Sequence, residues 1–292
     1  MIEYVNYIAL AALVHALPKG PGIEADWLES TLVATLAHYH AGAPEDLAAE
    51  AHGSRAWAIG GVQGTETLVQ SRPVVRDPST RFVVDFLRAP SQCTIAGYSV
   101  AGDLVSVPPR VTITRFQRWV AIFSEGELGG GEAPADEVRT RLRDELPEFF
   151  HRSLADGSDR ELVGMSTIAK IHAETTLSKS YVPPEVFRGA LRSIDAVLGA
   201  PPRAHILVTD GRTVGVLHRG GQMLALRPPV PTRVPRAIAV PRGEVELHDP
   251  ALLLVYAPLG WGHPPEETAP AAVVDEGVFT ASARHPVRIE RD

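Results

Sequence analysis

The order of apolar and polar positions along the chain predicts strands first, then helices, then strands again. In the first part, β-rich stretches broken by glycine and proline cover Ser54–Val69, Cys93–Val107 and Arg115–Leu128. We interpret the first of them as two short strands around its glycines, and the last as one strand that ends in a turn. Two stretches carry helical spacing or a helix start signal instead, Trp27–His40 and Arg81–Arg88.

Three helices are predicted in the centre of the chain, over Glu137–Leu154, Asp159–Ile171 and Pro184–Leu198. The second begins with Ser158 or Asp159 followed by Glu161, a sequence typical of a helix N-terminus. The third has proline in its first turn, where the missing N–H costs nothing.

The last part returns to strands. His205–Asp210, Thr213–Arg219 and Gln222–Arg227 are separated by Asp-Gly-Arg and Gly-Gly, which are signals for tight hairpins, so we expect a β-meander. Ala251–Tyr256 reads as a buried strand, and Gly277–Ile289 is also β-like. This order favours a layered α+β or α/β fold over a helical bundle.

Composition and charge exclude some functions. The chain of 292 residues has 28 Lys and Arg against 35 Asp and Glu, a net charge of −7, without a basic cluster, so nucleic acid is not an expected partner. The apolar run Tyr7–Leu17 is too short to span a bilayer as a helix and follows Glu3 rather than a basic segment, so we expect a buried core element and no membrane partner. A single cysteine excludes a disulfide within the chain and is compatible with a cytoplasmic location.

The stretch IAGYSVAG, from Ile95 to Gly102, spaces Gly97 and Ser99 as in the nucleophile elbow of a serine esterase. Such an elbow needs a helix directly after the serine. Pro108 and Pro109 exclude a long helix there, whereas Val105, Val107, Val111, Ile113 and Phe116 favour strands. We therefore expect Ser99 to lie in an ordinary strand, and keep the esterase as an alternative.

Metal and thiol chemistry are not expected either. His38 and His40 would point to different faces of a helix, and no third ligand is evident. Cys93 lies in an apolar stretch, where a buried thiol is inert. We expect no metal and no cofactor.

An ordered series of short motifs between residues 54 and about 280 resembles the class II glutamine amidotransferases, and among them small stand-alone proteins like the ergothioneine-pathway amidase. Each motif is weak alone, but their order and spacing match along the chain: Arg55–Gly60, Ser71–Pro73, Arg76–Pro78, Ala96–Ser99, Phe123–Leu128, Gly157–Glu161, Leu207–Arg212 and Val255–Leu259. The resemblance implies an α+β fold, the four-layer αββα sandwich of the N-terminal-nucleophile hydrolases, as a single domain over residues 1–292.

The same resemblance implies that the catalytic groups are lost. The family uses an N-terminal cysteine whose own amine is the base, whereas here Met1 is followed by Ile2 and no Cys, Ser or Thr precedes Ser30. Ser99 occupies the position of the arginine that holds the glutamine carboxylate. Glu125 replaces the asparagine that stabilises the oxyanion, and a carboxylate there would repel the developing charge.

Two substrate-binding positions match the family, Asp159 for the α-amino group and Gly126 for the turn that follows the asparagine, although helix capping also explains Asp159. We therefore expect a catalytically degenerate protein with no catalytic residue. It would bind a small amine-bearing ligand, or act as a partner subunit or homo-oligomer. The alternatives are an active amidotransferase or amidohydrolase with an unrecognised nucleophile, and the esterase that uses Ser99.

Overall fold

The computed structural model describes residues 7–15, 55–63, 66–74, 92–100, 111–124, 128, 134–175, 182–199, 201, 203–226, 251–257, 271–283 and 288–290. These residues form two antiparallel sheets and four helices. The α+β class predicted from the sequence is therefore confirmed.

The first sheet has seven strands in the order β11-β9-β10-β1-β4-β2-β3. Its strands are β1 Tyr7–His15, β2 Arg55–Gln63, β3 Glu66–Val74, β4 Cys93–Val100, β9 Gln222–Leu226, β10 Ala251–Ala257 and β11 Ala271–Val274. β1 lies in the middle, paired with β10 on one side and β4 on the other. The side chains from Leu10 to Val14 are buried, so the predicted core element is confirmed and is a strand.

The second sheet has six strands in the order β13-β12-β8-β7-β6-β5. They are β5 Ile113–Phe116, β6 Trp119–Ser124, β7 Ala204–Thr209, β8 Thr213–Arg219, β12 Gly277–Ser282 and β13 Arg288–Glu290. Their registers place Ser124 opposite His205, and His205 opposite His218.

The four helices lie between β6 and β7 in the chain: α1 Ala135–Asp144, α2 Glu148–His151, α3 Asp159–Ala173 and α4 Pro184–Leu198. The helix predicted over Glu137–Leu154 is two helices, because Pro147 cannot continue α1 and instead precedes α2. Gly199 ends α4 in the left-handed conformation, with φ of 71°. No helix in the described ranges is long and apolar enough to cross a membrane.

The six-stranded sheet is covered on both faces. Along β6, Trp119, Ala121 and Phe123 pack against the helices, whereas Val120 and Ile122 pack against the seven-stranded sheet, because successive side chains point to opposite faces. Three layers follow from this packing: helices, six-stranded sheet and seven-stranded sheet. Trp27–His40 and Arg81–Arg88, the two predicted helices that could form a fourth layer, lie outside the described residues.

Of the strand predictions for the first part of the chain, one is wrong and another is confirmed with different bounds. Arg115–Leu128 is not one strand, because β5 and β6 form a hairpin whose turn residue Gln117 has φ of 50°. Ser54–Val69 does contain two strands, but β2 continues through Gly60 to Gln63, and β3 begins at Glu66. A Cβ at Gly60 would lie 2.5 Å from Cγ1 of Val120, so glycine serves the close approach of the two sheets there rather than a turn.

The Gly-Gly pair does not make the predicted hairpin. β8 belongs to the six-stranded sheet and β9 to the seven-stranded sheet, so Gly220 and Gly221 carry the chain across the sandwich. Both have positive φ, 71° and 75°, which glycine adopts without strain. The local signal is real, but the partner of each strand is decided by packing between the sheets.

Candidate functional site

One end of the sandwich holds Ser99, the position that the resemblance assigns to binding of the substrate carboxylate. β1 begins there and β4 ends there, since Tyr7 pairs with Val100. β6 ends at Ser124, and the ring of Tyr256 in the seven-stranded sheet stacks on His205 in the other sheet at 3.6 Å. We call this the site end.

Ser99 lies at the site end within β4, one residue before the strand ends at Val100. It pairs with Ile8 on one side and Ala56 on the other, in the middle of three antiparallel strands. A nucleophile elbow requires the serine at a sharp turn between a strand and a helix. The elbow interpretation is therefore wrong, and the strand interpretation is confirmed.

Glu125 and Gly126 follow directly after Ser124, the last residue of β6, and lie outside the described residues. Their contacts with Ser99 or Asp159 stay predictions.

Asp159 is the first residue of α3, and its carboxylate is fully engaged. Arg139 of α1 donates from Nε to Oδ1 and from Nη2 to Oδ2, both at 2.7 Å. This bidentate geometry is the strongest form of a carboxylate–guanidinium contact, and it raises the pKa of Arg139. Arg139 also donates to Asp136 at 2.5 Å, so two carboxylates hold the guanidinium in place.

Helix capping falls to Ser158 rather than to Asp159. The Ser158 hydroxyl accepts the N–H of Glu161 at 3.2 Å, and Ser158 has the extended conformation of an N-cap residue. Of the two candidates considered from the sequence, only Ser158 is the cap. Asp159 instead pairs with Arg139, and this pairing could not be predicted from the sequence.

Glu161 builds the turn in front of α3. Its carboxylate, which is buried, accepts backbone N–H groups from Ala155 at 2.6 Å, Asp156 at 2.9 Å and Gly157 at 2.8 Å. The spacing Ser-x-x-Glu suggests a capping box, but the glutamate reaches the three residues before the cap instead of the cap itself.

Glu161→Gln should lower the free energy of unfolding by about 1–2 kcal/mol, because it removes the charge and replaces one acceptor oxygen by a donor. Urea unfolding followed by circular dichroism measures this change. Glu174→Gln, at the exposed end of the same helix, is the control and should stay within about 0.5 kcal/mol of the parent. Equal effects of the two substitutions would contradict the role given to Glu161.

A buried polar cluster at the site end was not expected from the sequence. Ser124, His205 and His218 lie side by side on β6, β7 and β8, and Tyr256 stacks on His205 from the opposite sheet. All four are at most 1% exposed. In the sequence, the only sign of this cluster is that both histidines occupy inward-facing positions of two strands. That sign can be recognised only once the register of the strands is known.

The two histidines are neutral and linked. Their Nδ1 atoms lie 3.0 Å apart, so one ring donates to the other. Burial, then the neighbouring His218, lowers the pKa of His205 to about 2. Burial also lowers the pKa of His218, against a smaller opposite effect of Glu276.

Cys93 lies at the opposite end of the sandwich. It starts β4, is fully buried, and its N–H donates to the carbonyl of Gly211 in the turn between β7 and β8 at 3.1 Å. Burial, then the nearby Asp210, raises the pKa of the thiol. Such a thiol is a poor nucleophile, in agreement with the inert cysteine expected from the sequence.

Comparison of the sequence with known families finds no family model that matches, and no curated protein matches it either. Comparison of the structure with solved structures finds similar folds. The structure of a glutamine aminotransferase class-II domain protein from Silicibacter pomeroyi is similar, with a TM-score of 0.51 over 97% of this chain and 98% of that chain at 12% identity. The fold is that of the class II glutamine amidotransferases.

Two further structures match less well. A glutamine phosphoribosylpyrophosphate amidotransferase from B. subtilis has a TM-score of 0.47 at 9% identity, over 97% of this chain and 49% of that chain. A predicted glutamine amidotransferase from Pseudomonas aeruginosa PA01 has a TM-score of 0.41 at 12% identity, over 96% and 94%. The resemblance noted in the sequence motifs is thus confirmed for the fold, and the chemistry has to be argued from the residues of this chain.

Proposed function

We propose that this chain is a class II glutamine amidotransferase-like protein without glutaminase activity, and that it acts by binding. The observation that carries the proposal is the pairing of Asp159 with Arg139. The family position for the α-amino group of glutamine is occupied by a carboxylate whose two oxygens already accept from one guanidinium. A glutamine ammonium would have to share that carboxylate with the guanidinium, whose positive charge repels it.

Two replacements inferred from the resemblance support the proposal. Ser99 replaces the arginine that would hold the glutamine carboxylate, and a hydroxyl supplies no positive charge for it. Glu125 replaces the oxyanion donor and would repel the charge that develops in the transition state. Both changes oppose glutamine binding and hydrolysis.

The cysteine of this sequence gives further support. Cys93 has the burial and the raised pKa of a structural thiol, and it lies at the end of the sandwich away from Ser99 and Ser124. An activated cysteine instead needs a nearby base and access to substrate. Cys93 therefore does not take over the role of the family nucleophile.

The proposed occupant of the site is a small amine-bearing ligand or a protein partner, including a second copy of the chain. Asp159 and Glu125 are both carboxylates and favour a cation over an α-carboxylate. In the structure Arg139 offsets the charge of Asp159, so Glu125 has the larger part in attracting an amine. A reduced cysteine suits a cytoplasmic setting, which we include in the proposal.

The proposal is tested by measuring ammonia release from glutamine with purified full-length protein. We expect no release above the buffer rate, and no difference between the parent and Asp159→Asn. Release that depends on the protein and is abolished in Asp159→Asn would show that the site still binds and hydrolyses glutamine. Circular dichroism spectra of both proteins control for folding.

A further inference from the structure

The buried cluster at the site end has two polar atoms that need a partner. Nε2 of His205 and Oγ of Ser124 are shielded from solvent and have no hydrogen-bond partner among the residues that the structure describes. A buried donor or acceptor without a partner is costly, so such atoms are normally satisfied by water or by a ligand.

The register of the strands places these two side chains next to each other on the same face of the six-stranded sheet. His205 lies between Ser124 on β6 and His218 on β8. Its Nδ1 is turned to His218, at 3.0 Å. Nδ1 and Nε2 point in widely different directions from an imidazole ring, so the contact of Nδ1 with His218 on β8 favours an orientation of Nε2 toward the β6 side, where Ser124 lies.

We propose that Ser124 and His205 form a subsite for one uncharged group that carries both a hydrogen-bond donor and an oxygen acceptor, such as a primary carboxamide or an alcohol. A neutral imidazole nitrogen and a hydroxyl can each donate or accept, and together they match a group that does both. His218 fixes the ring by holding Nδ1, and Tyr256 covers one face of the ring at 3.6 Å.

The surroundings select against ions. Leu10, Val216 and Met223 belong to the apolar core between the sheets. The charged groups that act on the histidine pair are Arg203 on His205 and Glu276 on His218, and for both histidines burial has the larger effect. An ammonium or a carboxylate placed there would lose its hydration without gaining a counter-charge from Ser124 or His205. In the described part of the chain no third His, Cys, Asp or Glu joins the two histidines, so the arrangement does not suit a metal ion.

This inference rests on the proposed function and adds to it, because it assigns an uncharged group to the buried cluster, separate from the amine that the carboxylates Asp159 and Glu125 would attract. It can fail independently of that function. A protein that binds no carboxamide could still lack glutaminase activity, and a working glutaminase would not need Ser124 or His205.

The test uses full-length protein labelled with ¹⁵N-histidine and long-range ¹H–¹⁵N spectra, which report the state of each imidazole nitrogen. Acetamide and ethanol are titrated as uncharged probes, and acetate and methylammonium as charged ones. We expect a saturable shift of the His205 Nε2 signal with at least one uncharged probe and none with the ions.

Two variants and one control make the result specific. Ser124→Ala should weaken the probe about fivefold or more, as expected for one lost hydrogen bond. His205→Phe keeps an aromatic ring stacked on Tyr256 and should abolish binding. Because this variant lacks the His205 signal, binding is followed through the line width of the probe's own resonances, which should no longer broaden. Ser166→Ala is the control, because Ser166 is also buried and its Oγ has no partner in the described part of the chain, but it lies in α3.

Three results would overturn the proposal. They are no saturable shift with either uncharged probe, an equal affinity in Ser124→Ala and Ser166→Ala, or binding of acetate or methylammonium as tight as that of the uncharged probes. Equally tight binding of acetate or methylammonium would indicate that the cluster binds a charged group instead.

Discussion

Gly211→Ala should lower the free energy of unfolding by about 2–4 kcal/mol, through backbone strain and overpacking together. Gly211 has φ of 86°, a conformation that a residue with a Cβ rarely adopts. A Cβ there would lie 2.7 Å from both the Cβ and the carbonyl oxygen of Val62, and the oxygen belongs to the backbone of β2 and cannot turn away. Urea unfolding followed by tryptophan fluorescence measures the change.

The matched control is Gly189→Ala in α4. A Cβ at Gly189 meets nothing within 4 Å, and alanine is the better helix former, so this variant should gain about 0.5–1 kcal/mol. Comparison of the two variants tests whether the β7–β8 turn packs directly on β2. This contact joins the two sheets at the end of the sandwich away from the site end. A Gly211→Ala protein as stable as the parent would show that the sheets do not meet there.

Acidification should destabilise the fold through the buried histidine pair. The pKa of His205 is lowered from 6.5 to about 2, so the unfolded chain binds a proton below pH 6.5 that the folded chain does not bind. Stability is therefore full above pH 6.5 and falls as the pH decreases. Between pH 6.5 and pH 5, His205 alone should account for a loss of about 2 kcal/mol.

Other groups near the pair modify this effect without reversing it. Arg203 lowers the pKa of His205 further, and Glu276 raises that of His218, which burial nevertheless lowers overall. His218 thus adds to the loss in the same direction. The combined effect of His205 and His218 is measured as the free energy of unfolding in urea at a series of pH values.

His205→Phe isolates the contribution of His205. The variant keeps an aromatic ring against Tyr256 but cannot take up a proton in the unfolded state. Its stability should fall less between pH 6.5 and pH 5 than that of the parent, by about 2 kcal/mol. The slope is compared rather than the absolute stability, because the substitution also removes the contact to His218. Identical slopes would mean that His205 is not buried as a neutral ring.

The elements that local sequence determines were predicted well. α4 begins and ends where the proline signal and the apolar spacing placed it, over Pro184–Leu198, and α3 begins at the predicted Asp159. Both starts depend on residues within one turn of the helix. Strand partners could not be predicted in the same way. The Gly-Gly pair after β8 indicates a tight reversal, yet β9 joins the other sheet because its partners β10 and β11 are distant in the chain.

The candidate site likewise combines features that neighbouring residues determine with contacts that depend on distant parts of the chain. Ser158 as the cap of α3 follows from its neighbours, and it was considered from the sequence. Arg139 as the partner of Asp159 is 20 residues away, on another helix, and depends on how α1 packs on α3. His205 and His218 come together only through the register of β7 and β8, so the cluster that carries the further inference is invisible to local patterns.

The central claim is that this amidotransferase fold lacks an activated nucleophile, and covalent labelling with a chloroketone analogue of glutamine tests it most directly. Intact-mass spectrometry of the native full-length protein should show no adduct. After unfolding in guanidinium, the same reagent should label Cys93, which confirms that the reagent is active and that burial protects the thiol. A stoichiometric adduct on the native protein, prevented by excess glutamine, would show a working nucleophile and contradict the claim.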